Sequence, residues 1–124
     1  MNGLSQSIVR RDIGIAIGNV GVGVMMAGTV GFAVEQWWIG VVTLVVAGLL
    51  IASADRSRAG KWVLIAIGTV AIVALGWGMF RDTVPTGVLP LVLIGIGTGL
   101  ALNRVLFGVL RPVPEVRQRR EDAA

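Results

Sequence analysis

The spacing of its charges constrains this chain more than any other feature. Residues 13–34, 36–54, 62–80 and 83–103 contain no Asp, Glu, Lys or Arg, leaving uncharged runs of 22, 19, 19 and 21 residues. At about 1.5 Å of rise per residue, helices of these lengths span about 28 to 33 Å, which matches the ~30 Å hydrocarbon thickness of a bilayer. Lipid offers backbone N–H and C=O groups no water, so a spanning segment must satisfy them as a helix or a closed barrel. A barrel needs alternating strands of about ten residues, and no such alternation is present. The sequence predicts an all-α membrane protein with four transmembrane helices, at about 13–34, 37–54, 62–80 and 84–104, with an interfacial extension to 110. A hydrophobic content of 55% and a mean hydropathy of +0.83 agree with that class and disfavour a soluble fold.

The connections are short, so consecutive helices are expected to be antiparallel neighbours in an up-down bundle. Arg10, Arg11, Arg56, Arg58, Lys61, Arg104, Arg111, Arg117, Arg119 and Arg120 fall at one end of this arrangement and only Arg81 at the other. An excess of Lys and Arg marks the cytoplasmic side. The expected organisation is a short cytoplasmic N-terminus (1–12), a transmembrane domain (13–110) and an exposed cytoplasmic tail (111–124). Trp37, Trp38, Trp62 and Trp77 sit near run boundaries, where an amphipathic ring anchors a helix at the headgroup level. Arg10-Arg11 ahead of an apolar run has the look of a twin-arginine export signal, but a run of 22 residues is long for one and no small-x-small cleavage site follows.

Ile15-Ala16-Ile17-Gly18-Asn19-Val20 reappears fifty residues later as Ile65-Ala66-Ile67-Gly68-Thr69-Val70, the pattern of a duplicated helical hairpin. Glycine is concentrated in the first run. At about 100° per residue Gly14, Gly18, Gly21 and Gly28 form one stripe, and Ala16, Gly23 and Ala27 lie opposite. Gly95 and Gly99 repeat the spacing in the fourth run. Small residues let helix backbones approach closely in lipid. The stripe on the first helix, Gly18 above all, is expected to pack within the bundle, and the Gly95/Gly99 pair to meet another chain.

Intramembrane polar residues are few. Asn19 and Asn103 lie at similar depth and are expected to hydrogen-bond across helices 1 and 4, with Arg104 extending its aliphatic stem to the interface. The sequence has no Cys and no His, and its seven carboxylates fall at boundaries, in loops or in the tail. No catalytic residue, metal site or cofactor is therefore expected, since general acid–base chemistry needs a titratable group held in a protected site. The tail from Arg111 onward mixes both signs and is read as a solvated end, not a nucleic-acid arm.

The expected partners are the lipid bilayer itself and either further copies of the chain or other membrane subunits. The expected role is a non-enzymatic structural or accessory subunit of a cellular membrane complex or a viral envelope. A passive pore or holin-like oligomer is the alternative. An Arg-dominated basic set with abundant Ala, Val and Gly suggests a prokaryotic cell membrane or a virion membrane derived from one.

Overall fold

The computed structural model describes residues 3–123, and the side chains of residues 6–120. It consists of α1 (Gly3–Val30), α2 (Trp37–Arg56), α3 (Arg58–Phe80), α4 (Val88–Arg104) and α5 (Glu115–Ala123). A 3-10 turn at Val34–Gln36 precedes α2, and a wide-turned π segment, Val105–Leu110, follows α4. Among the described residues there is no strand. Four segments, Gln6–Val30, Val34–Arg56, Arg58–Phe80 and Val88–Leu110, are long and apolar enough to cross a membrane.

Several boundaries differ from the sequence expectation, for local reasons. α1 begins ten residues early, because leaving the apolar run does not end a helix and the Arg10-Arg11-Asp12 stretch remains helical. It stops at Val30 instead of continuing to 34, because Gly31 takes φ 78° and donates its N–H to Ala27 O at 2.9 Å, a C-terminal glycine stop. α4 starts at Val88, where the Val88 N–H reaches Pro85 O at 3.1 Å in the preceding turn. Pro90 is then the third residue of α4, where a missing N–H leaves no helical acceptor unpaired.

Consecutive helices were expected to be neighbours, yet α4 lies between α1 and α2, and α3 packs on the far side of α2, giving the order α1–α4–α2–α3. The reason is the thinness of α4 on two faces. A Cβ placed on Gly97 would stand 2.8 Å from Ala16 O and 2.7 Å from Val20 Cγ2 of α1. On the other face, a Cβ on Gly95 would meet Gly40 O at 2.7 Å, and one on Gly99 would meet Leu44 O at 2.7 Å, both on α2. No side chain fits at these points, so the backbones touch and gain van der Waals contact that lipid does not supply. The register runs antiparallel between α1 and α4 (Ala16 beside Gly97, Gly23 beside Pro90) and parallel between α2 and α4 (Gly40 beside Gly95, Leu44 beside Gly99). Accordingly 33% of the α4 span is buried, against 6% of α3's.

The connections fit this order. The 31–33 segment crosses the start of α4, where Ala33 N–H donates to Gly87 O at 3.2 Å and Gly87 leaves no room for a side chain. α2 and α3 meet at a tight corner in which Ser57 caps α3 through the Gly60 N–H at 2.9 Å, and Gly60 lies flat on Ser53. Exchanging α1 with α3 and α2 with α4 maps the order α1–α4–α2–α3 onto itself, an arrangement compatible with a duplicated hairpin.

Candidate functional site

The basic end of the helices holds a polar centre that the sequence did not reveal as a unit. Four charged side chains from four elements converge there: Asp12 of α1, Asp55 of α2, Arg104 of α4 and Arg117 of α5. Each carboxylate meets both guanidinium groups. Arg104 donates to Asp55 Oδ2 through Nη2 and places Nε 3.1 Å from Asp12 Oδ2. Arg117 donates to Asp55 Oδ1 at 2.8 Å and to Asp12 Oδ1 at 3.3 Å. The two buried cations and two buried anions balance, the condition under which charges tolerate a buried site, and the half-exposed Arg11 stands at the edge with its Nε 3.6 Å from Asp12 Oδ1.

Burial decides the character of this cluster. The Arg104 side chain is 0% exposed, those of Asp55 and Asp12 2% and 5%, and that of Arg117 16%. Arg104 was expected to snorkel to the interface; instead it points into the protein, because two carboxylates there offer a counter-charge. Its Nη1 and the Oδ1 of Asn103 are buried without a hydrogen-bond partner. The π segment helps seat the cluster: the chain kinks at Phe107 (φ −117°, ψ 42°), and Gly108 comes against Val9 of α1 and the Arg104 stem.

The tail closes the centre from below. Residues 111–124 were expected to be exposed, but Val113 is 1% exposed and α5 packs on both α1 and α2. Arg120 donates from Nη2 to Ala54 O at 3.0 Å, near the end of α2, and to Ser57 O at 3.4 Å, a carbonyl that also accepts the Lys61 N–H.

The two asparagines do not bond to one another. Asn19 Nδ2 donates to Leu93 O of α4 at 2.9 Å, and Asn103 Nδ2 points toward Gly48 O of α2 at 3.4 Å. Because α4 is central, each asparagine reaches across a different interface, and the depth match in sequence carries no contact.

The intrachain glycine contacts differ from expectation. Gly95 and Gly99 pack within the chain against α2, whereas a Cβ on Gly14, Gly18, Gly21 or Gly28 would meet nothing within 4 Å. The small residues that α1 turns to α4 are Ala16 and Gly23, from its opposite face. Trp37, Trp38, Trp62 and Trp77 are all exposed, between 53% and 64%, at helix ends, with Arg81 above the Trp77 ring.

Sequence reasoning missed Asp12, Asp55 and Arg117. The available signal was local: Asp12 and Asp55 each stand directly at the edge of an apolar run, at the end otherwise dominated by Arg. Among the described residues no group of three His, Cys, Asp or Glu side chains could hold a metal ion. Comparison with protein-family models, curated proteins and solved structures yields no match. What fold and site together define is a class: a multi-pass helical membrane protein whose helices are joined at one end by a buried clasp of Asp and Arg side chains.

Proposed function

We propose that this chain is a non-enzymatic accessory or structural subunit of a larger membrane assembly, with its helices alternating in direction and both termini in the cytoplasm. The observation that carries this reading is the flat outer face at each end of the helix row. Gly14, Gly18, Gly21 and Gly28 on α1, and Gly68 and Gly76 on α3, have nothing within 4 Å. Glycine is a costly choice for a face that meets only lipid, since it weakens a helix and adds no apolar area. It is a good choice for a face that receives another helix. The buried charges of the basic end support the same reading, because Asp12, Asp55, Arg104 and Arg117 pair with one another and hold α1, α2, α4 and α5 together.

The partner is a second copy of the chain or another membrane subunit, in a prokaryotic cell membrane or a virion membrane derived from it. Gly18→Ile is the deciding variant. In mild detergent it should keep the helical content and stability of the monomer while abolishing crosslinked oligomers or a co-purifying subunit. Equal assembly by wild type and Gly18→Ile would remove the basis of the proposal. Ion or solute flux through liposomes carrying the wild-type chain, lost in Gly18→Ile, would instead favour the pore reading.

A further inference from the structure

At the basic end, beside the clasp but outside it, α5 and the start of α3 enclose an open cavity of about 630 Å³ lined by Arg58, Lys61, Trp62, Val116, Arg119 and Arg120. Four of these six residues are cations and none is a carboxylate. Arg58, Lys61 and Arg119 form no ion pair among the described residues, in contrast with Arg104 and Arg117, whose charges are consumed by Asp12 and Asp55. Arg120 is held by its bonds to Ala54 O and Ser57 O, so one cation of the set is fixed in place. The start of α3 adds the partial positive charge of a helix N-terminus.

Position supplies the second half of the argument. Lys61 and Trp62 straddle the junction between charged corner and apolar run, and the Trp62 ring is 62% exposed. A Trp there marks the headgroup level. Such a cavity is cationic on its polar wall and open to lipid beside Trp62 and Val116. We propose that it binds the headgroup phosphate of an anionic phospholipid from the leaflet at the basic end, with Arg58, Lys61 and Arg119 as phosphate ligands and Trp62 against the glycerol and upper acyl region. Neutral phospholipids carry the same phosphate with a compensating amine, which a lining of four cations and no carboxylate disfavours.

The test uses the full chain in nanodiscs of phosphatidylcholine, with and without phosphatidylglycerol, in a Trp37→Phe, Trp38→Phe, Trp77→Phe background that leaves Trp62 as the sole reporter. Phosphatidylglycerol should shift Trp62 fluorescence saturably, and native mass spectrometry should show retained phosphatidylglycerol. Each cation near an anionic surface contributes about fivefold in affinity, so Lys61→Gln with Arg119→Gln should weaken retention by about thirty-fold. The control Arg10→Gln with Arg111→Gln removes two exposed charges from the same end but outside the cavity, and should weaken retention clearly less than Lys61→Gln with Arg119→Gln, since neither side chain lines the cavity. Equal loss in both double variants would mean diffuse surface attraction and would overturn the site. Displacement of the Trp62 signal by inorganic phosphate at the same concentration as lipid would also overturn it, by showing a free-anion site. Unchanged retention in Lys61→Gln/Arg119→Gln, with unaltered helical content, would do the same.

Discussion

Replacing Asp55 with Ala puts the clasp under the most informative load. Asp55 accepts hydrogen bonds from both Arg104 and Arg117 and is almost fully buried. Once it is removed, Arg117, at 16% exposure, can swing toward water, but Arg104 at 0% cannot. Arg104 would then depend on Asp12 alone, through an ion pair at 3.1 Å that lacks a well-aligned hydrogen bond. Removing one member of a buried pair typically costs about 3–5 kcal/mol, because a charge is left uncompensated. Asp55→Ala should therefore destabilise the chain by about 3–5 kcal/mol. Removing the orphaned charge as well, in Asp55→Ala/Arg104→Met, should recover much of that loss. The assay is reversible unfolding in mixed detergent, followed by circular dichroism, on both single variants and the double. A strongly favourable coupling between the two positions is expected, and simple additivity would refute the reasoning, since residues that do not interact have additive effects.

Gly99→Leu should destabilise the monomer by at least about 1–3 kcal/mol through overpacking, measured in the same unfolding assay, because a Cβ there already collides with Leu44 O at 2.7 Å. Gly18→Leu should leave the monomer within about 0.5 kcal/mol of wild type, as its Cβ meets open space. Asn19→Leu and Asn103→Leu should each cost about 1 kcal/mol and combine additively, since they bond to carbonyls of different helices. Cysteines introduced at Gln36 and Thr83 should react with impermeant maleimide on intact cells, and those at Ser7 and Ser57 only after lysis; labelling of Ser57 from outside would overturn the orientation.

What the sequence made legible follows from which interactions are local in the chain. The number of spanning helices and their approximate places could be read directly, because hydrocarbon thickness acts on each segment separately. The end of α1 at Gly31 and the tolerance of Pro90 are local backbone effects of the same kind. The neighbour relations were not legible. Short loops at 31–36 and 81–87 suggested adjacent helices, yet such a loop can pass over the end of a helix inserted between the two it joins, as the 31–33 segment does at Gly87. Periodicity placed Gly14, Gly18, Gly21 and Gly28 on one face and Ala16 and Gly23 on the other, but could not say which face met α4. The alternating glycines of α4 carry the order: Gly95 and Gly99 point one way, to α2, and Gly97 the other, to α1. The clasp was invisible for a different reason. Asp12, Asp55, Arg104 and Arg117 are scattered through the chain, and their charges looked like ordinary boundary residues until the helix order brought them together.

That helix order is the claim on which the clasp, the glycine contacts and the free outer faces all depend. The natural sequence has no cysteine, so introduced pairs report without background. Three pairs are decisive: Gly23→Cys with Ile94→Cys, Ala47→Cys with Gly99→Cys, and Ala16→Cys with Ala47→Cys. A Cβ on Gly99 lies 3.3 Å from the Ala47 Cβ, and one on Gly23 lies 2.8 Å from Ile94 Cγ1, both close to disulfide range. Ala16 and Ala47 contact α4 from opposite sides. Under mild oxidation in membranes, scored within one chain after cleavage at a protease site placed in the 81–87 loop for the first two pairs and in the 31–36 loop for the third, the first two pairs should crosslink and the third should not. An Ala16–Ala47 crosslink formed in preference to the other two would place α1 directly against α2 and contradict the account.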